Sequence, residues 1–199
     1  MNRETWDRRY ASTELMWSAG PNRFVAEELA DLPPGRAIDL AAGEGRNALW
    51  LAERGWEVTA VDFSQVALDK GRRIADRRGL QLTWLCEDLS EWAPPERSFD
   101  LAVVLYLQLR WEELEGPIRR AAAAVAPGGT FFLVAHDSDN LAHGYGGPKY
   151  PEVLYTGEQV AALLDGFDVL KAGPVRRPIE TEPGTVHAID ALVRAVRRS

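Results

Sequence analysis

Short apolar runs alternate with stretches of helical spacing along most of this chain, and that alternation limits its fold more than any other feature. Segment 36–40 (RAIDL) reads as a strand entering a glycine-rich turn. Segment 47–54 has helical spacing and stops before Gly55, and 56–61 alternates with β-branched residues as a strand does. Ser64 stands where an N-cap belongs, ahead of a helix over 66–78 closed by Gly79. A third strand is predicted over 80–85. The run 99–106 (FDLAVVLY) is continuously apolar after its Asp, the pattern of a strand buried on both faces of a parallel sheet. An Ala-rich helix over 114–125 stops at Pro127-Gly128-Gly129, and a fifth strand covers 130–135. Thr156 caps a helix reaching about residue 164. The closing strands, 167–170 and roughly 186–196, have no helix between them and read as an antiparallel edge pair.

Strand–helix units in succession predict an α/β fold: a seven-stranded, mostly parallel sheet with an antiparallel edge hairpin and helices on both faces. The first 31 residues hold no strand. They predict a short helical cap carrying Trp6, Tyr10, Trp17 and an amphipathic helix around 23–29. The expectation is one domain over 1–199, with the cap at 1–31 and the α/β core at 32–199.

Charge and cysteine content narrow the function. Lys and Arg number 23 against 30 Asp and Glu, a net charge of -7. A chain so acidic is a poor match for duplex nucleic acid or an anionic membrane. Cys86 is the only cysteine, so neither an internal disulfide nor a zinc finger can form. The longest apolar run, 101–107, is far short of the roughly 20 residues of a membrane helix. The polar first residues lack an apolar signal core, so a reducing cytoplasm is the expected location.

The chemistry concentrates at Asp39-Leu40-Ala41-Ala42-Gly43-Glu44-Gly45-Arg46-Asn47, where a buried strand hands over to a helix. Glycines there let backbone N–H groups approach a ligand, and the helix start adds partial positive charge. Such a loop can hold a phosphate or a carboxylate, or be a tight turn with no ligand. Spacing strengthens the ligand reading. Asp62 ends the second strand, where an acid can accept from both ribose hydroxyls, and Asp88 follows the third. All three features fall at carboxyl ends of neighbouring strands, where open α/β sheets bind ligands. Gly43-Glu44-Gly45-Arg46-Asn47-Ala48 also matches the dinucleotide fingerprint G-x-G-x-x-G/A, which keeps an NAD(P)-dependent oxidoreductase open. Against it, Asp39 would repel a pyrophosphate but suit an ammonium group, and no second glycine-rich turn follows 99–106.

Together, the Asp39–Gly45 loop, Asp62, Asp88, Phe99-Asp100 and Pro127-Gly128-Gly129 resemble the class I S-adenosylmethionine-dependent methyltransferases over about 32–196. Gly43-Glu44-Gly45-Arg46-Asn47, and Trp6-Asp7-x-Arg9-Tyr10 followed by Pro21-Asn22, look like the small bacterial members near the tellurite-resistance and thiopurine methyltransferases. The resemblance implies a Rossmann-like fold, S-adenosylmethionine (SAM) as cofactor and S-adenosylhomocysteine (SAH) as product. Its backbone contacts to the methionine end would come from Ala41, Gly43 and Gly45, with Glu44, Arg46, Asn47 and Ser64 around them. Asp39 would order the ammonium, Asp62 the ribose, and Phe63 would stack beside the adenine. Asp88 would accept from the adenine amino group and the Leu89 N–H would donate to the ring. Leu105 and Tyr106 would lie near the sulfonium, with aromatic faces from Tyr10 or Trp17. Ala41-Ala42 departs from the Gly-Cys common at this point.

In-line methyl transfer needs mainly positioning and exclusion of water. A base is needed only if the acceptor loses a proton, and His136, in His136-Asp137 at the tip of the fifth strand, is the candidate. A structural His at a strand end is the rival reading, and Tyr106 is the other candidate catalytic group. Three scattered histidines make no metal triad, so no metal is expected. The expected partner is a small-molecule acceptor, without nucleic acid or membrane, the protein being a monomer or homodimer. A non-catalytic SAM-binding regulatory module is the remaining alternative.

Overall fold

The computed structural model describes residues 3–16 and 20–199. Two cap helices, α1 (Arg3–Ala11) and α2 (Arg23–Leu29), precede β1 (Arg36–Leu40), α3 (Arg46–Ala52), β2 (Glu57–Asp62), α4 (Gln65–Arg78), β3 (Thr83–Cys86) and β4 (Phe99–Leu105). Then come α5 (Trp111–Ala124), β5 (Val125–His136), α6 (Asn140–His143), α7 (Gly157–Ala161), β6 (Phe167–Thr181) and β7 (Gly184–Arg197). The strands form one sheet of order β3-β2-β1-β4-β5-β7-β6. The first five pair in parallel, while β7 runs antiparallel to both β5 and β6. This is the Rossmann-like α/β sheet with an antiparallel edge hairpin that the sequence predicts.

The continuous apolar run of β4 has a simple origin. Ala102 and Val104 pack under α5 with Leu114 and Ile118. Leu101, Val103 and Leu105 face the opposite layer with Leu51 of α3 and Leu29 of α2. Alternate residues of one strand thus bury against two helical layers, as a central parallel strand requires. Pattern also sets the helix ends. Ser64 accepts from the Ala67 N–H, and Gly79 closes α4 in the left-handed region at φ 66°.

Several boundaries differ from the sequence reading. Helix α5 begins three residues earlier, at Trp111, and accommodates Pro117. Pro117 falls in the second turn, where the loss of its N–H costs one bond at most. Strand β5 begins at Val125 and runs through Pro127-Gly128-Gly129, across a register shift opposite β4. Strand β3 is shorter, at Thr83–Cys86, and β6 extends over 15 residues rather than four. Alternation along β6 is broken by a bulge between Val169 and Lys171 and by two prolines, which hid its length.

The cap is tied to the sheet by polar contacts. Lys70 Nζ of α4 donates to the carbonyls of Tyr10 and Thr13 and lies 3.2 Å from Glu44 Oε1. Ser64 donates its hydroxyl to Asp7. Among the described residues no helix is long and apolar enough to cross a membrane.

Candidate cofactor site

The loop between β1 and α3 lies at the carboxyl edge of the sheet, beside the point where strand order reverses from β1 to β4. Ala41, Gly43 and Gly45 all have left-handed φ, at 59°, 57° and 75°. Gly43 is required twice over, since a Cβ there would stand 2.6 Å from the Tyr10 hydroxyl oxygen. Tyr10 of α1 is therefore packed directly on the loop. Ala41 adopts the same backbone sign without glycine, at a cost of order 1 kcal/mol, and keeps the loop shape despite the Ala41-Ala42 departure.

Asp39 is the most informative residue. It is 1% exposed, and its Oδ2 accepts the Ala48 N–H at 3.1 Å. Its Oδ1 is buried without a hydrogen-bond partner among the described residues. Burial raises the pKa to about 7, with Asp62 adding repulsion and the Ala48 amide opposing. A buried carboxylate oxygen without a donor is a costly arrangement unless a ligand supplies one. It suits an ammonium and opposes a pyrophosphate, which argues against the dinucleotide reading.

Asp62 has a role the sequence reading lacked. Its Oδ2 accepts the Gly43 N–H at 2.8 Å and its Oδ1 the Ser64 N–H at 2.8 Å. It thereby braces the glycine loop against the start of α4. Burial pushes its pKa to about 6, with the Ser64 and Gly43 amides lowering it and Asp7 raising it. Each oxygen keeps a second lone pair for a ribose hydroxyl. Asp88 accepts from the Ser90 N–H and hydroxyl at 2.9 and 2.7 Å, capping the turn that follows β3. Those hydrogen bonds hold its pKa below the usual carboxylate range despite some burial. Its Oδ2 takes no hydrogen bond among the described residues, so cap and ligand contact are compatible.

The other candidates divide. Phe63 is half-buried beside Asp62, and its carbonyl accepts the Cys86 thiol at 3.5 Å. Leu89 is half-buried against the core, and Leu105 is buried at the tip of β4. Ser64 is a buried helix cap. Glu44 turns to the cap, accepting the Met16 N–H at 2.9 Å beside Lys70. Arg46 is half-buried, and its field reaches Asp39, Tyr106 and Arg177. Asn47 is buried and accepts the Asn22 N–H at 2.8 Å. Trp17 lies outside the described residues. Trp84 packs where side chains at Gly45 and Gly71 would be, within 2.6 and 2.5 Å of their Cβ positions.

From Asn47 a polar chain crosses to the hairpin. Asn22 Nδ2 donates to the Tyr106 hydroxyl at 3.2 Å, and that hydroxyl donates to Asp190 Oδ2 at 2.9 Å. Arg177 Nε donates to the same oxygen at 2.6 Å. His136 Nδ1 stands 3.3 Å from Asp190 Oδ1, and the His136 and Tyr106 rings lie 4.9 Å apart. Tyr106 itself has φ 51°. Arg177 and Asp190 belong to no motif of the sequence. No local signal marks either, because both enter the site only through strand pairing.

An open α/β sheet carrying a left-handed glycine loop, with acids at three adjacent strand tips, defines a nucleoside-cofactor domain of the Rossmann type. Residues 37–129 match the methyltransferase domain family. A demethylmenaquinone methyltransferase of Thermus thermophilus is 35% identical over 123 residues, covering 61% of this chain and 54% of that protein. The chain spans about half the length of the curated relatives it matches. TehB from Haemophilus influenzae shares the fold at TM-score 0.74 and 18% identity, over 98% of this chain and 67% of that one. The N-methyltransferase NodS from Bradyrhizobium japonicum, solved with SAH, does so at TM-score 0.75 and 15% identity, over 99% and 98%. Over residues 37–129 the chain is thus similar to the methyltransferase domain family, and its fold is that of the N-methyltransferase NodS.

Proposed function

We propose that the protein is a methyltransferase that binds SAM at the β1–α3 loop and passes its methyl group to a small acceptor. The observation that carries this reading is the buried, unpartnered Asp39 Oδ1 at the foot of the loop. The ammonium of the cofactor's methionine end supplies the donor and charge that this oxygen lacks. Ala41, Gly43 and Gly45 amides surround the same end, Asp62 takes the ribose and Asp88 the adenine amino group. Bound there, the cofactor supplies an electrophilic methyl on a good leaving group. The protein has to orient the acceptor and keep water out. The Thermus relative is named for demethylmenaquinone, a small molecule, and the acidic surface here disfavours nucleic acid as acceptor.

Isothermal titration calorimetry with SAH and with NAD(H) tests the reading. Uptake of SAH and not NAD(H) is the expected result. Folded protein that takes up no SAH would refute it.

A further inference from the structure

His136 and Asp190 are directly opposed on the antiparallel strands β5 and β7. Opposed residues on one sheet face bring their side chains together, and here an imidazole meets a carboxylate with no exposed surface. Asp190 is held on three sides, by His136, by Arg177 and by the Tyr106 hydroxyl. Burial works against its charge, but His136 and Arg177 outweigh burial and hold its pKa below the ordinary carboxylate value. It stays an anion.

The imidazole is oriented by this arrangement. Nδ1 is the buried nitrogen, 3.3 Å from Asp190 Oδ1 and without a hydrogen bond among the described residues, so Asp190 is the acceptor within reach of a proton on it, while the side chain keeps 12% exposure. Nε2 makes no hydrogen bond among the described residues. The glycine loop after α6 closes over the ring, a Cβ at Gly147 falling 3.0 Å from Nδ1. Asn140 fixes that loop, accepting the Ile189 N–H at 2.7 Å and donating to the Gly146 carbonyl at 3.0 Å. Asp137, the sequence neighbour of His136, instead accepts the Asp139 N–H at 2.9 Å. The groups facing the ring are therefore Asp190 from β7 and Tyr106 after β4, with Arg177 from β6 paired to Asp190 and lying over the Tyr106 ring.

We propose that His136 is the general base of methyl transfer, positioned by Asp190, and that the acceptor carries a phenolic or enolic hydroxyl. The proposal rests on the methyltransferase reading and extends it. The acceptor O–H proton passes to His136 Nε2, and the oxygen lone pair forms the O–CH3 bond. The sulfur–methyl bond breaks with its electron pair retained on sulfur. The imidazolium so formed is stabilised by Asp190 and returns its proton to solvent.

Chemistry selects the acceptor class. A neutral amine attacks without prior loss of a proton, and a thiol of pKa about 8.5 demands less of a base than a phenol does. An aliphatic alcohol is too weak an acid for an imidazole. A phenol, near pKa 10, lies within reach of an imidazole near 6.5 when proton transfer accompanies bond formation. The Arg177 guanidinium, beside Asp190 and 5.9 Å from the Tyr106 ring centre, favours the negative charge that develops on oxygen. The Tyr106 hydroxyl donates its proton to Asp190, and burial first, then the Asp190 charge, raise its pKa, so it is a neutral donor beside the ring.

The test uses the whole protein with catechol and a series of substituted phenols, set against thiophenol and aniline. His136→Gln should lower kcat on phenols by about a hundredfold or more and leave SAH affinity within about twofold. Loss of the acid limb of the kcat–pH profile should accompany it. Asp190→Asn should move that limb to lower pH and lower kcat with little change in KM. Should Asp190→Asn fail to fold, 15N NMR of the wild-type protein still decides. His136 should carry its proton on Nδ1 when neutral, its signals assigned by their loss in His136→Gln. Wild-type kcat in His136→Gln, an Nε2–H tautomer, or SAH-binding protein that methylates no phenol would each overturn the proposal while sparing the methyltransferase reading. Absence of SAH binding by the wild-type protein would sink both.

Discussion

The carboxylate of Asp62 holds the backbone of Gly43: Oδ2 accepts the glycine N–H at 2.8 Å, across 19 residues of sequence. One acid at the tip of β2 therefore shapes the loop at the tip of β1 as well as standing where we propose that the ribose binds. A single substitution there should have two effects. Asp62→Ala removes buried acceptors from two amides, at about 1–3 kcal/mol of stability each. It should also raise the SAH dissociation constant tenfold or more, about 1.4 kcal/mol. Urea unfolding and calorimetry read the two effects, and a variant that binds SAH like the wild type contradicts the ribose assignment.

Protonation of Asp39 should govern cofactor affinity. Its pKa near 7 lies above the ordinary value of 3.8, so the folded protein without cofactor holds an extra proton across that range. The stability associated with that proton is complete below about pH 4 and is lost as pH rises through about 7. An ammonium at Oδ1 favours the ionised form, so SAH binding should tighten as pH rises to about 7, by up to about tenfold per unit below it. Calorimetry at pH 6 in buffers of differing ionisation enthalpy should show proton release. A dissociation constant unchanged between pH 5.5 and 8 contradicts the assignment.

Gly71 in the middle of α4 should resist substitution. Alanine there would place its Cβ 2.5 Å from the Trp84 ring and 2.8 Å from the Glu44 carbonyl oxygen. Gly71→Ala should cost about 2 kcal/mol despite the better helix propensity of alanine. Trp84→Leu should recover about half of that loss, leaving the share due to the Glu44 carbonyl. A double-mutant cycle by urea unfolding measures the coupling.

Lys70 should prove the anchor of the cap. Lys70→Met removes the cation 3.2 Å from the buried Glu44 carboxylate and the donor that the Tyr10 and Thr13 carbonyls share. The expected loss is about 3 kcal/mol, with faster amide exchange across α1 than across the sheet. Exchange that is uniform, or unchanged in α1, would show the cap is held by packing alone.

Local pattern determined most of the fold. The two-faced burial of β4, the Ser64 cap, the Gly79 stop and the left-handed glycines after β1 each follow from side-chain period or backbone freedom within a few residues. The acids at the tips of β1, β2 and β3 were legible for the same reason, because a strand's end fixes where its last residue sits. Tertiary structure decided the partners. Asp190 meets His136 only because β7 pairs antiparallel with β5 in one register, and a slip of one residue would send the carboxylate to the other face. Glu44 went to Lys70 and the cap, and Asp62 to Gly43, through contacts between elements far apart in the chain. Periodicity describes which face a residue occupies, and carries no information about which distant side chain will occupy the space opposite it.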